Sequence, residues 1–366
     1  MNNKIIKVLS LILSVVFITS VFASCSSDKS KKETGNTDKV NLAIMRTGFT
    51  LPLYYAVQQG YFEELGLDVD VQYFDNGPQV NEAIASGDID IAGIGQMPSI
   101  TGAIANKSKI VAWMEDDEES IQAYARNDSD IVKLGKGNVE GYEDIYGDAE
   151  TWKGKEVICA KGTSSHYGLL ATLNALGLTE KDIKIINMEG AQGATAFASG
   201  TGDIFFGFDP QWSEFYSNSD KYTCISTCAA AGKSLYAMLI ASNDFYTNKS
   251  DIMVKFMEGL LKAEEELRAD ENKYYDEMYN WQSFYGNCTK EIAKYSASIK
   301  KIRSLDEQKE MFTESDGTSE VLKSYETVID FMVKNEVIKE ADKQTFYDNN
   351  SIDPSYMFEA IENLNK

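Results

Sequence analysis

The stretch Leu65-Gly66-Leu67-Asp68-Val69-Asp70-Val71, followed by Gly77-Pro78-Gln79, Ala85-Ser86-Gly87 and Asp88-Ile89-Asp90-Ile91, decides the fold because the chain says it twice. The second copy reads Leu176-Gly177-Leu178, Ile183-Lys184-Ile185-Ile186, Gly190-Ala191-Gln192, Ala198-Ser199-Gly200 and Asp203-Ile204-Phe205. The offset drifts from 111 at Gly66/Gly177 through 113 at Ser86/Ser199 to 115 at Ile89/Ile204. That spacing is too long for a solenoid. It predicts two similar α/β lobes, each strand–helix–strand, with a ligand crevice between them.

The pattern extends outward from both copies. Val40, Leu42 and Ile44 alternate as one face of a strand over 40–45. Further strands are predicted at 67–74, 89–94 and 110–114, with helices at 51–59, 78–85 and 98–105 between them. The second lobe repeats this with strands at 156–160, 183–188, 204–208 and 222–227. Strands alternating with helices imply βαβ units and mostly parallel pairing. Four of the 5 prolines (Pro52, Pro78, Pro98 and Pro210) fall between a strand and a helical pattern. Proline in a first helical turn loses no hydrogen bond, so these residues mark the strand-to-helix turns where α/β sheets bind ligands. Residues 132–152 are rich in Gly, Asp, Glu and Tyr and read as an inserted loop. Two crossings between the lobes are expected, near 122–126 and over 234–242, the latter an apolar run that returns the chain to lobe one. From 251 onward the sequence is helical and is expected to pack on lobe one. Charge pairs there, such as Glu264 with Arg268, read as solvated surface.

The 366 residues carry a net charge of −22, and 43% are hydrophobic. That is enough apolar content for two cores, and the acidity argues against a nucleic-acid partner. Lys4 and Lys7 precede an apolar run over 8–22, which has the form of an export signal. Phe22-Ala23-Ser24-Cys25 resembles a lipoprotein signal box, and the resemblance implies cleavage before Cys25 and lipid on its thiol. Residues 26–38 are polar and read as a flexible tether. The resulting division is signal 1–24, tether 25–38, lobe one 39–125, lobe two 126–233, and the return crossing with the helical remainder 234–366. Cys159, Cys224, Cys228 and Cys288 read as buried thiols. One histidine among such spacings makes no zinc site, and neither metal nor cofactor is expected.

Three motifs then carry a family resemblance. They are Leu51-Pro52-Leu53-Tyr54-Tyr55-Ala56 with Gly60-Tyr61-Phe62-Glu63-Glu64-Leu65-Gly66-Leu67, Gly162-Thr163-Ser164-Ser165-His166-Tyr167, and Phe208-Asp209-Pro210-Gln211-Trp212. Over about 40–242 the chain resembles solute-binding proteins for aliphatic sulfonate, taurine, nitrate and thiamine-pyrimidine uptake. Phe208 replaces the first Trp of that family's Trp-Asp-Pro turn. The resemblance implies a bilobal type II periplasmic-binding-protein-like fold with a helical C-terminal extension. It also implies a monomer on the outer face of the cell membrane that serves an ABC permease and its ATPase.

Local chemistry points the same way. Gly162 turns the chain, Thr163 is a good helix N-cap, and Ser164, Ser165 and His166 occupy the first turn. The offset of 113 maps Tyr54 onto Tyr167, so Thr47-Gly48-Phe49-Thr50 is the matching start in lobe one. Two helix N-termini facing one cleft favour an anionic group. The candidate ligand set is Thr47, Gly48, Phe49, Tyr54, Gln96, Met97, Gly162, Thr163, Ser164, Ser165, His166, Asp209 and Trp212. Asp209 is the candidate partner for an ammonium on a zwitterion, and Arg46 or Arg126 for the anion. Phe49, Tyr54, Tyr55, Trp113, Tyr167 and Trp212 together would suit an aromatic ring. Each residue also has a structural role open to it, as cap, core aromatic or surface charge. The acidic run 115–119 reads as a solvated segment near the hinge, with a cation site close to the cleft mouth as its alternative.

The expected function is capture of a small anionic or zwitterionic solute of the sulfonate or taurine kind by lobe closure, for delivery to the importer. A thiamine-pyrimidine or other aromatic ring is the alternative ligand. A clamp-fold enzyme of pyrimidine synthesis and a sensor remain as rival classes. No nucleophile elbow, phosphate loop or histidine-rich motif supports catalysis.

Overall fold

The computed structural model describes residues 38–286 and 288–366; the export signal, Cys25 and nearly all of the tether lie outside the described residues. Ten strands are described: β1 Asp38–Met45, β2 Leu67–Phe74, β3 Ile91–Gly95, β4 Lys109–Asp116, β5 Gln122–Arg126, β6 Glu156–Cys159, β7 Lys184–Asn187, β8 Ile204–Gly207, β9 Tyr222–Thr227 and β10 Tyr236–Ala241. They form two five-stranded sheets, ordered β2-β1-β3-β10-β4 and β7-β6-β8-β5-β9. The two orders are equivalent position by position. In each, three parallel strands come first, and the fourth strand is antiparallel to both neighbours. The repeated sequence occupies equivalent places, β2–helix–β3 in one sheet and β7–helix–β8 in the other.

Each Leu-Gly-Leu turn leads towards the outermost parallel strand of its sheet, directly into β2 and by way of a short 3-10 turn into β7. Gly66 and Gly177 take φ of 80° and 70° there, a left-handed conformation that disfavours any side chain. Burial explains the strand sequences. Every residue of β3 and of β10 is buried, as expected for interior strands covered on both faces. Pro52, Pro78 and Pro98 lie in the first turns of the helices Leu51–Gln59, Gly77–Ser86 and Gln96–Asn106, and Pro210 precedes Ser213–Ser217.

Several expectations need correction. The chain changes lobe at 117–121 and 228–235, not at 122–126, because residues 122–126 are β5, already inside the second sheet. Lobe two therefore begins before residue 126. The two crossings bond each other through Asp117 N–H to Leu235 O (2.8 Å) and Cys228 N–H to Ile121 O (3.1 Å). The segment 132–152 is more than a loose loop. Ile145 and Trp152 are fully buried, the Trp152 indole donates to Tyr146 O (2.9 Å), and Tyr146 N–H donates to Ile225 O of β9 (2.9 Å). It partly covers a sheet edge that would otherwise lie open.

The helical extension also reaches beyond lobe one. The long helix Ser250–Ala269 packs on lobe one, where Phe256 stacks on Phe62 at 4.5 Å. Tyr295, however, stacks on Tyr216 of lobe two at 4.2 Å, and Phe331 meets Tyr167 of lobe two edge-on at 4.9 Å. Glu264 is buried against Gln308, and Arg268 pairs instead with Glu265.

Candidate functional site

The two helix starts singled out by the repeat meet at one place. A cavity of about 10 Å³ lies between the lobes, lined by Phe49, Gly95 and Asp117 on one side and by Thr163, Ser164 and Phe208 on the other. It holds at most one water, because the lobes are closed on each other, and a solute needs a wider gap than this one. A Cβ on Gly95 would lie 2.4 Å from Ser164 Oγ, and a Cβ on Gly48 would lie 2.4 Å from Asp209 Oδ2. Glycine at each place is what permits the approach. A wider groove of about 530 Å³, bordered by Ser213, Glu214, Ser283 and Thr289, opens to solvent beside the Asp209 turn.

The helix Ser164–Ala175 begins without a side-chain cap. Thr163 turns its hydroxyl to Ala160 O at 2.7 Å, and Ser165 Oγ is buried with no partner. The leading amides of any helix lack intrahelical acceptors, so this start offers donors at the cavity wall. The lobe-one start is built alike. Thr47 makes no side-chain cap for Gly48–Thr50, and its Oγ1 is likewise buried and unpartnered. The Gly48 amide donates to Asp209 Oδ2 across the lobes at 3.1 Å.

Asp209 is nearly inaccessible and accepts further bonds from Gln282 Nε2 at 3.1 and 3.2 Å. Lys300 Nζ lies 3.7 Å from Asp209 Oδ2 and 3.7 Å from Asp117 Oδ1, and it bonds Ser120 Oγ. Burial pushes the Asp117 carboxyl up to about 6, against the pull of Lys300. Burial also holds Glu115 well above the carboxylate range, opposed by Lys300 and by the Tyr274 hydroxyl, which donates to it at 2.8 Å. Burial works against the Lys300 ammonium, yet Asp209, Asp117 and Glu115 together raise it above its ordinary value. The acidic run 115–119 is thus partly interior: Glu115 and Asp117 are buried at the base of the cleft, not solvated.

Other candidates lie elsewhere. Tyr54 stacks on Trp281 at 4.5 Å and joins an aromatic cluster with Phe284. Gln96 bonds the Tyr236 amide (3.1 Å) and Ser324 (2.8 Å), and Met97 is buried behind it. Gly162 turns with φ of 80°, and its amide meets His166 Nδ1 at 3.5 Å. His166 Nε2 bonds Glu180, so the ring braces the turn. Trp212 is core and donates to Ser120 O at 2.9 Å. Trp113 and Tyr167 are also fully buried. Arg46 pairs with Asp75, and Arg126 binds the carbonyls of Phe197 and Gly202. Sequence reasoning overlooked Gly95, Ser120, Gln282 and Lys300, and read Asp117 as part of a solvated run. Gly95 ends a repeated strand and could have been found from the repeat, whereas nothing local distinguishes Lys300 from its neighbour Lys301.

The four cysteines at 159, 224, 228 and 288 are free thiols, and burial raises each above its ordinary range. Among the described residues no cluster of metal-ligating side chains occurs, and no helix is long and apolar enough to cross a membrane.

Comparison with known proteins fits this architecture. A Brachyspira hyodysenteriae protein named "putative ABC transporter periplasmic binding protein" is 26% identical over 358 residues, covering 97% of this chain and 99% of its own. The alkanesulfonate-binding protein SsuA of Xanthomonas axonopodis pv. citri, bound to MOPS, superposes with a TM-score of 0.65 at 18% identity, covering 82% of this chain and 94% of its own. The periplasmic nitrate-binding protein NrtA of Synechocystis PCC 6803 gives a TM-score of 0.66 at 15% identity, covering 90% and 89%. The fold is therefore that of the periplasmic binding proteins. The family described as NMT1/THI5 like matches residues 49–273, more than half of the chain, and the protein belongs to it.

Proposed function

We propose that this protein is an extracytoplasmic solute-binding protein that captures a small zwitterion by lobe closure and presents it, unreacted, to an ABC importer. One observation carries the reading. Two equivalent helix starts, one from each lobe, converge on a single cavity, which Phe49 lines from one side and Thr163 and Ser164 from the other; next to these lining residues each start carries a buried hydroxyl without a partner, Thr47 Oγ1 and Ser165 Oγ. Such groups cost free energy unless something bonds them. The relatives named above, among them an ABC transporter periplasmic binding protein, support the transport assignment.

The charges favour a ligand with both signs. Helix-start amides suit a sulfonate or carboxylate. Asp117, the one charged side chain lining the cavity among the described residues, suits an ammonium. Arg46, Arg126 and His166 are each occupied with other partners, so a purely anionic ligand would find no free side-chain cation among them. A second reading, an aminopyrimidine, is favoured by Phe49 and Phe208 on opposite walls. In both readings lipid on Cys25 holds the protein at the membrane.

Thermal shift with taurine, ethanesulfonate and an aminopyrimidine tests the proposal. Ligand at 100 times its dissociation constant adds about 2.7 kcal/mol. Taurine is expected to stabilise most and to be recovered unchanged. Preference for ethanesulfonate would refute the zwitterion, preference for the pyrimidine would select the second reading, and turnover of any bound compound would refute simple binding.

A further inference from the structure

Lys300 is the least accounted-for group in the molecule. Its side chain is fully buried, in the segment that follows the helix Lys290–Ser298. Its ammonium reaches three things at once: Asp209 on the lobe-two turn, Asp117 in the first crossing, and Ser120 in the same crossing. Asp209 in turn receives the Gly48 amide from lobe one and the Gln282 amide from the extension. Every partner of Asp209 therefore comes from outside lobe two. Separation of the lobes would part Asp209 from all of these partners at once and leave the Lys300 ammonium with Asp117 and Ser120 alone, so the contact is made only in the closed form.

We propose that Lys300 is a clasp: it reaches from the helical extension to Asp209 and holds the two lobes closed, so that it sets the balance between open and closed forms before any solute acts. The inference rests on the closing cleft proposed above, although not on which ligand fills it. Ligands shift such a balance only by their preference for one form, so a built-in clasp fixes how much preference is needed. Gly48 belongs to the same device, since a Cβ there would meet Asp209 Oδ2 at 2.4 Å and Lys300 Cε at 2.6 Å.

The test is electron–electron distance measurement on the full chain without added solute. Spin-labelled unnatural residues replace the exposed Glu82 and Lys184, one in each lobe. Lys300→Met is expected to lower the closed-to-open ratio at least tenfold. Gly48→Ala, which changes no charge, is expected to move it the same way and decides the matter if Lys300→Met fails to fold. Two distances in wild type, with unchanged ratios in both folded single variants, overturn the clasp alone. One unchanging distance in all proteins overturns the clasp and the closing cleft together. A solute panel that finds no ligand leaves this result standing.

Discussion

The contact between Gly95 and Ser164 offers a sharp way to test closure. Gly95 ends β3 and precedes the helix Gln96–Asn106, while Ser164 opens the helix of the other lobe. Alanine at 95 would set its methyl 2.4 Å from Ser164 Oγ, so the hydroxyl or its helix must retreat by roughly 1 Å to reach ordinary contact. Overpacking of this kind costs about 1–3 kcal/mol. Charged wholly to the closed form, that is a loss of about 5- to 150-fold in closure and in affinity. The backbone itself raises no objection, because Gly95 has φ −70° and ψ 158°, open to any residue. Replacing glycine there even narrows the unfolded ensemble, by about 0.4–1 kcal/mol. Gly95→Ala should therefore weaken titrated binding of the panel's ligand, and should lower the melting temperature of the free protein by no more than the overpacking cost less the unfolded-state gain. Ser164→Ala removes the clashing oxygen and leaves Cβ against Cβ at 3.6 Å, an ordinary contact. Added to Ser164→Ala, the Gly95→Ala change should cost less than about twofold. Wild-type affinity in Gly95→Ala, or an undiminished penalty in the serine-free background, would refute the claim that these residues meet on closure.

Two further outcomes are expected. Burial pushes the Glu264 carboxyl up to about 8, opposed by the Gln308 amide, whereas an unfolded glutamate titrates near 4.3; the folded state thus binds the extra proton between these values, and stability declines as pH rises across that window, by on the order of 5 kcal/mol. Urea unfolding of Glu264→Gln should then show a variant more stable than wild type at about pH 8.5 and indistinguishable at about pH 5; equal differences at both would refute the buried, protonated carboxyl. Cys25→Ser should move the protein from the membrane fraction to the soluble one and abolish labelling by a fatty-acid analogue, and unchanged fractionation would sink the lipid anchor.

The sequence was most informative where local chemistry repeats. Leu-Gly-Leu, the proline-marked helix starts and the drifting offset all report backbone geometry, and geometry imposed twice is visible twice. β3 and β10 could be read from apolar runs because both of their faces are covered. β5 was misread as a crossing because Gln122, Tyr124 and Arg126 carry polar groups, and their partners lie far along the chain. Tyr124 bonds Gln122 in the sheet, and Arg126 caps carbonyls at Phe197 and Gly202. Glu115, Asp117 and Glu264 were misread for one physical reason: a charged residue reads as solvated unless something distant removes it from water. Here Tyr274, Lys300 and Gln308 do so, at separations of 159, 183 and 44 residues. Tyr54 and His166 were assigned to the ligand by position in a motif, but their side chains leave the cavity for Trp281 and Glu180.

Those long separations bear on how the site discriminates. Two lobes built from one plan would by themselves offer a ligand matching walls, with helix-start amides and hydroxyls on both sides. The extension breaks that symmetry. It delivers Gln282 and Lys300 next to the lobe-one start alone, and they hold Asp209 against the Gly48 amide. The lobe-one donor is then already satisfied, whereas the amides at Ser164 and Ser165 in lobe two have no capping side chain. One wall of the cavity presents Asp117 and the other presents free donors. A solute negative at one end and positive at the other fits such a site in a single orientation. A symmetric anion would find donors on one wall alone, since the other presents the Asp117 carboxylate, whose charge is offset only by Lys300 at 3.7 Å. The polarity of the site, and with it the preference for a zwitterion, thus originates in the helical extension more than in either lobe.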